Sequence, residues 1–141
     1  MARELSVGVT LGAYLVVNLA HGVPHVAVPV PLTPFQSTFV VLIVTLAPVV
    51  GFVLLWRGAE RIGSAVFATS MVASLVFGVY YHFIVSNPDN VHAVNGPWQS
   101  AFVTSAALVA IADAAGVAIG AWSWWTLGRD GRRETSESLR G

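Results

Sequence analysis

Residues 35–56 read FQSTFVVLIVTLAPVVGFVLLW, a long run that contains no charged side chain. About 20 apolar residues of helix cross the hydrocarbon core of a bilayer. Three further runs are similarly apolar, at residues 5–22, 62–84 and 98–127, and only the last contains a charged residue, Asp113. The sequence therefore predicts an all-α, integral membrane four-helix bundle over residues 1–127. A polar tail follows at 128–141, which we expect to be cytoplasmic and disordered.

The overall composition favours the same class of protein. Hydrophobic residues make up 55% of the chain and charged residues only 10%, too few to keep a soluble domain of this size dissolved. The lipid bilayer is therefore the expected main partner, and the zero net charge gives no electrostatic attraction to nucleic acid.

The chain has no cysteine, which excludes disulfides, iron–sulfur clusters and thiol catalysis. It has no lysine either, so no Schiff base can form.

The arginines predict the orientation in the membrane. All of them precede the first run, separate the second from the third, or follow the fourth: Arg3, Arg57, Arg61, Arg129, Arg132, Arg133 and Arg140. Loops rich in arginine stay in the cytoplasm. We therefore expect a multi-pass protein of the cell membrane with both termini cytoplasmic and all four histidines on or near the extracytoplasmic side. The weak basic segment before the first run favours a retained helix over a cleaved signal peptide.

Local signals mark how the chain turns between the runs. Thr33, Pro34 and Gln36 have the pattern of a helix start, with Thr33 as N-cap, Pro34 in the first turn and Gln36 closing a capping box. Residues 86–90, SNPDN, are typical of a turn.

A short internal similarity indicates a duplicated unit. Residues 34–40, PFQSTFV, resemble residues 97–103, PWQSAFV, and a histidine lies just upstream of each block. Runs one and three each end near a further histidine. We therefore predict two parallel helical-hairpin repeats related by an axis along the membrane normal. The alternative is that any helix entering from the outer face favours proline, an aromatic residue and a polar residue in its first turn.

The four histidines are the candidate metal ligands. His21 and His25 are four residues apart and share one helix face if the first helix continues past Gly22. His82 ends the third run and His92 lies in the loop before the fourth, so the repeat would bring all four together. Neutral imidazole is the commonest metal ligand. The pattern predicts a copper, iron or zinc site, or a haem held by His21 and His82 between helices. The alternative is a set of interfacial or hydrogen-bonding histidines.

Four other polar residues near or within the runs are candidates for function. Asp89 and Tyr81 could orient a histidine ligand, although an aspartate in this turn more often caps the turn itself. Asp113 lies near the middle of the fourth run, where an ionised carboxylate costs at least ~2.5–3.5 kcal/mol. It is either a proton relay or ion gate, or a neutral carboxyl that bonds a hydroxyl or the Val44 carbonyl freed by Pro48. Asn18 could donate to a ligand or to a neighbouring helix.

Three functions are consistent with these features. The first is a metal- or haem-binding membrane protein with an extracytoplasmic histidine site, acting in electron transfer or redox chemistry. The second is a transporter or channel for a metal ion or small solute. The third is a non-catalytic subunit of a larger membrane complex or homo-oligomer. The format resembles that of small four-helix membrane cytochromes, but their histidine spacings are not reproduced here, so the resemblance concerns the fold alone.

Overall fold

The computed structural model describes residues 2–28 and 30–138, with side chains up to residue 129. Four helices run up and down: α1 (Ala2–Ala27), α2 (Pro34–Trp56), α3 (Glu60–Ile84) and α4 (Gln99–Ser138). Each is long and apolar enough to cross a membrane, which agrees with the four predicted runs. We call the end with His21, His25, His82 and the loop residues 28, 30–33 and 85–98 the histidine end, and the opposite end the arginine end.

Helix α1 is longer than predicted, because it continues through Gly22 and Pro24 to Ala27. Pro24 cannot donate to the carbonyl of exposed Ala20, and the helix continues for less than one turn beyond it. The continuation places His21 and His25 one helical turn apart on the same face.

The start of α2 confirms the predicted capping box. The Thr33 hydroxyl accepts from the Gln36 backbone nitrogen at 3.2 Å, and the Gln36 side chain accepts from the Thr33 nitrogen at 2.8 Å. Pro34 occupies the first turn, where its missing N–H costs nothing.

Two π-helical segments interrupt the α-helices, which the sequence patterns did not predict. They cover Val40–Leu46 in α2 and Tyr80–Ile84 at the end of α3. Pro48 cannot donate to the Val44 carbonyl, and the Tyr14 hydroxyl of α1 donates to that carbonyl instead, at 2.8 Å. Asp113 is therefore not the hydrogen-bond donor to the Val44 carbonyl.

Helices α2 and α3 approach each other backbone to backbone. A Cβ built on Gly51 would lie 2.6 Å from the Phe67 nitrogen, and one built on Gly63 would overlap the Leu55 nitrogen. Gly116 and Gly120 of α4 also lie against α3, where a Cβ would come within 3 Å of the Met71 and Ala68 side chains respectively. Helices α1 and α2 make far fewer contacts with each other, so a gap remains between them at the histidine end.

Helix α4 extends to Ser138, past the predicted end at Leu127. The expectation of disorder is therefore wrong for residues 128–138, whose arginine and glutamate residues favour helix. Residues 139–141 lie outside the described part of the chain.

At the arginine end, Arg3 of α1 connects three helices. It donates to Thr126 of α4 at 3.1 Å and lies 3.7 Å from Glu60 of α3.

The described residues do not support the duplicated hairpin. Gln36 is buried and closes a capping box, whereas its counterpart Gln99 is exposed and opens α4 after a turn at Pro97. The helix pairs also differ, because α3 and α4 pack extensively while α1 and α2 do not. The similar blocks are better explained as two instances of helix-start chemistry.

The close approach at Gly63 predicts a large cost for a single methyl group. Gly63→Ala should lower the free energy of unfolding by about 1–3 kcal/mol, because the backbone of α2 cannot move away without loss of packing. Reversible unfolding in mixed micelles measures the change. Gly12→Ala is the matched control, since its new methyl meets no atom within 4 Å. Equal stability of the two variants would contradict this packing.

Candidate metal centre

Three imidazole nitrogens converge at the histidine end. His21 Nε2 lies 3.0 Å from His25 Nε2 and 3.3 Å from His82 Nε2, and suitable ligand atoms of all three residues lie within 4.8 Å of one another. Metal–nitrogen bonds of about 2.0–2.1 Å at tetrahedral angles place the nitrogens about 3.3–3.4 Å apart. The observed separations are therefore close to those of three ligands around one metal ion.

A serine of α4 determines which nitrogen of His21 carries the proton. The Ser105 hydroxyl lies 2.8 Å from His21 Nδ1 and donates its own proton to the Phe102 carbonyl at 3.1 Å. A hydroxyl has one proton, so both contacts are hydrogen bonds together only when Ser105 accepts from a protonated Nδ1 of His21, and this is the tautomer that we infer. In neutral His21 the lone pair is therefore on Nε2, which points into the cluster.

The second loop imposes the same tautomer on His82. His82 Nδ1 donates to the Asp89 backbone carbonyl at 2.9 Å, which leaves a lone pair on Nε2. Asn87 holds this loop in place: its amide donates to the Tyr81 and Val85 carbonyls and its oxygen accepts from the Asp89 nitrogen. The predicted turn is thus confirmed, with Asn87 rather than Asp89 as the residue whose side chain caps it.

The proton of neutral His25 has two possible positions, because His25 Nε2 faces His21 Nε2 at 3.0 Å. A proton on its Nε2 can be donated to His21 Nε2, but nothing then satisfies His82 Nε2, which faces the same His21 nitrogen. With the proton on Nδ1 instead, three lone pairs point at one another. In either arrangement, the three rings could hold a metal ion between them.

The cluster is shielded from water by the two loops and by one aromatic ring. The Phe102 ring lies 4.9–5.6 Å from the three imidazole centroids and is fully buried. Above it, Val28 and Val30 of the first loop pack with Val91 and Val94 of the second. As a result, His21 and His82 are only 7% and 8% exposed, so interactions with a bound charge are little screened.

The Asp89 carboxylate lies beside the ligands. Its Oδ1 is 3.5 Å from His25 Nε2 and 3.4 Å from His82 Nδ1, is fully buried, and has no hydrogen-bond partner. Burial raises the pKa of Asp89 to about 6, although His82 works in the opposite direction. A cation at the cluster would favour the ionised carboxylate. The Asp89 side chain therefore does not cap the turn, and its predicted role in orienting a histidine stays a prediction, because the carboxylate makes no hydrogen bond to either ring.

A cavity of about 360 Å³ adjoins the three histidines. It fills the gap between α1 and α2 and reaches Ser74 of α3, about two helical turns from His82. Val40 and Val44 of α2 and Phe77 of α3 form much of its apolar wall. The site is thus closed by the loops on one side and open to the cavity on the other.

The remaining candidates do not reach the cluster. His92 is exposed, and its backbone nitrogen donates to the Asn90 side chain. The Tyr81 ring packs on Phe77 and Tyr80. Asn18 lines the cavity, but its amide donates to the Tyr14 carbonyl of its own helix. The structure therefore brings together three of the four histidines, with Asp89 beside them.

Ser105 and Phe102 are the site residues that sequence reasoning missed. Both lie on the buried face of α4, which also carries Ala106, Val109 and Asp113. The helical spacing from Asp113 back to Phe102 was the available signal, since it places both residues toward the bundle interior. Their contact with His21 needed the tertiary arrangement of α1 and α4.

The arrangement suits a bare ion better than a haem. Two axial imidazoles approach haem iron from opposite faces, and two bonds of about 2 Å in line would separate their nitrogens by about 4 Å. His21 Nε2 and His82 Nε2 are closer than that, at 3.3 Å. His25 Nε2, at 3.0 Å from His21 Nε2, also lies where the porphyrin would pass.

Comparison with models of protein families, with curated proteins and with solved structures gives no significant match. What can be said of function therefore rests on this geometry.

The hydrogen bonds predict the tautomers of the metal-free protein. His21 and His82 should carry their proton on Nδ1, whereas exposed His92 should show the mixture usual for a free imidazole. Nitrogen-15 NMR of histidine-labelled protein, treated with a chelator, distinguishes the two nitrogens. In Ser105→Ala the Nδ1 preference of His21 should weaken, while that of His82 stays. A proton on Nε2 of both His21 and His82 would contradict the assignment.

Proposed function

We propose that this protein is an integral membrane metal-binding protein whose site is formed by His21, His25 and His82. The observation that carries the proposal is the orientation of the lone pairs. Ser105 and the Asp89 carbonyl hold the outer nitrogens of His21 and His82, so that both inner nitrogens are free to bind a metal. Hydrogen bonds of this kind orient histidine ligands in metal sites.

The ligand set favours a transition-metal ion. Three imidazoles without a thiolate suit copper or zinc, and iron becomes a candidate if Asp89 joins as a carboxylate ligand. Three protein ligands next to a cavity leave a further coordination position, as in catalytic rather than structural sites. A role in electron transfer or redox chemistry requires copper or iron, because zinc has no redox chemistry.

The arginines support an orientation for the site. The described members of the set, among them Arg3, Arg57 and Arg61, lie at the end of the bundle opposite the histidines. The positive-inside rule then places the arginine end and both termini in the cytoplasm. The metal site would face the extracytoplasmic side. Assembly with further copies or with other membrane subunits remains a prediction from composition.

Transport of a metal ion is the second candidate, and the cavity is the observation that favours it. A path for an ion would begin at the three histidines and continue past Ser74 toward Asp113. Metal uptake by vesicles that contain the purified protein distinguishes this function from a static site. Normal uptake by an Asp113→Asn variant would count against a path through that residue.

Metal stoichiometry tests the proposal directly. Purified protein should bind one copper, zinc or iron ion per chain, and His21→Ala, His25→Ala and His82→Ala should each lose stoichiometric binding. Elemental analysis and an optical spectrum of the same sample identify the metal and would reveal any haem. His92→Ala is the matched control and should bind as the unchanged protein does, since His92 lies outside the cluster.

A Ser105→Ala variant tests the metal site even if a histidine variant does not fold. It retains all three ligands and should weaken metal affinity by about 10–100-fold, because His21 loses its orienting partner. Thr104→Ala, a neighbouring exposed position, should leave affinity unchanged. The proposal fails if the folded, unchanged protein binds none of the three metals.

The absence of native cysteine makes the orientation easy to test. A cysteine introduced at Ser86, near the histidine end, should react in intact cells with a thiol reagent that cannot cross membranes. A cysteine at Gly128, near the arginine end, where a new side chain meets no atom within 4 Å, should react only after the cells are opened. The reverse pattern of labelling would overturn the proposed orientation.

A further inference from the structure

Asp113 is the most isolated polar group of the bundle interior. Its side chain is fully buried in α4, and neither carboxyl oxygen has a hydrogen-bond partner among the described residues. The Ser74 hydroxyl of α3 is close enough to interact with it, without reaching the geometry of a hydrogen bond. An ionised carboxylate so placed in an apolar bundle would be costly, and a protonated carboxyl is the state that this environment accepts.

The direction of the neighbouring hydrogen bonds can be derived from two distances. The Tyr14 hydroxyl donates to the Val44 carbonyl at 2.8 Å, which uses its only proton. The Ser74 hydroxyl, 3.1 Å from the Tyr14 oxygen, must therefore be the donor in that pair. Ser74 keeps a free acceptor lone pair, to which a protonated Asp113 can donate after a small rotation of its side chain.

Ser74 also lines the cavity that adjoins the three histidines. A single hydroxyl thus lies between the buried carboxyl and a space large enough for several water molecules. The polar side chains near Asp113 come from two other helices: α1 contributes Tyr14, a titratable group that interacts with it electrostatically, and α3 contributes Ser74. No basic side chain among the described residues pairs with Asp113, so its charge would not be neutralised when the proton leaves.

We propose that Asp113 is a proton-binding site in the middle of the bundle and that it exchanges its proton with the cavity through Ser74. In the transfer step, the carboxyl proton passes to Ser74 Oγ as the hydroxyl proton of Ser74 passes to a cavity water. The carboxyl becomes a carboxylate, the serine is unchanged, and the excess proton leaves with the water. Ser74 first turns away from Tyr14, which needs only rotation about one side-chain bond.

Infrared spectroscopy of the metal-free protein tests this site without relying on the metal centre. The difference between the spectra of the unchanged protein and Asp113→Asn should contain the carbonyl band of a protonated carboxyl at neutral pH. That band should shift on transfer to heavy water and should disappear as the pH is raised. Asp113→Glu should move the band rather than remove it, which secures the assignment if Asp113→Asn folds poorly.

The role of Ser74 has its own matched control. Ser74→Ala should retain the carboxyl band but slow its exchange in heavy water by about 10²-fold, the lower end of what a positioned proton-transfer group contributes. Ser70→Ala removes a buried hydroxyl one turn away on α3, which bonds to the Phe67 carbonyl and does not line the cavity, and should exchange normally. A carboxylate at every pH, or a carboxyl band that neither exchanges nor titrates, would overturn the proton site. Unchanged exchange in Ser74→Ala would overturn the route.

Discussion

A polar group inside an apolar helical bundle must find its partner within the bundle, and this constraint explains the hydrogen bonds that join the helices of this protein. The Val44 carbonyl, left without a donor by Pro48, is satisfied by Tyr14 of another helix. Ser64 of α3 and Ser123 of α4 bond to each other at 2.8 Å. Each of these hydrogen bonds joins two helices. The bonds that satisfy buried polar groups therefore also stabilise the packing of particular helices against each other.

The exceptions to that constraint occur where function is proposed. Among the described side chains, the buried oxygen and nitrogen atoms without a partner belong to Asp89 and Asp113. The first lies beside the three histidines and the second lies beyond the inner end of the cavity that adjoins them. A bound cation would satisfy the Asp89 carboxylate, and a proton would neutralise the Asp113 carboxyl. The cavity is lined by the three histidines and by Ser74, so it adjoins the proposed metal site and reaches the serine through which we propose that Asp113 exchanges its proton.

Much of the fold could be predicted because the signals are local. Runs of apolar residues predict the helices, and Thr33 with Gln36 predicts the start of α2, because each signal involves residues within one or two turns. The end of α4 and the continuation of α1 through Pro24 were harder to predict. In both segments, residues that favour helix lie beside residues that disfavour it. The close approach at Gly51 and Gly63 was missed because the two glycines belong to different helices and share no motif.

By itself the sequence determined four long apolar helices, the segregation of arginines from histidines, and the spacing of four residues between His21 and His25, which becomes one helical turn only because α1 continues to Ala27. These follow from hydrophobicity, charge and helical period. Only the tertiary structure decided that His82 joins this pair while His92 does not, and that Ser105 and the Asp89 carbonyl orient the rings. Those contacts join residues far apart in the chain, so their geometry depends on how α1, α3 and α4 pack together, which no spacing within one helix can determine.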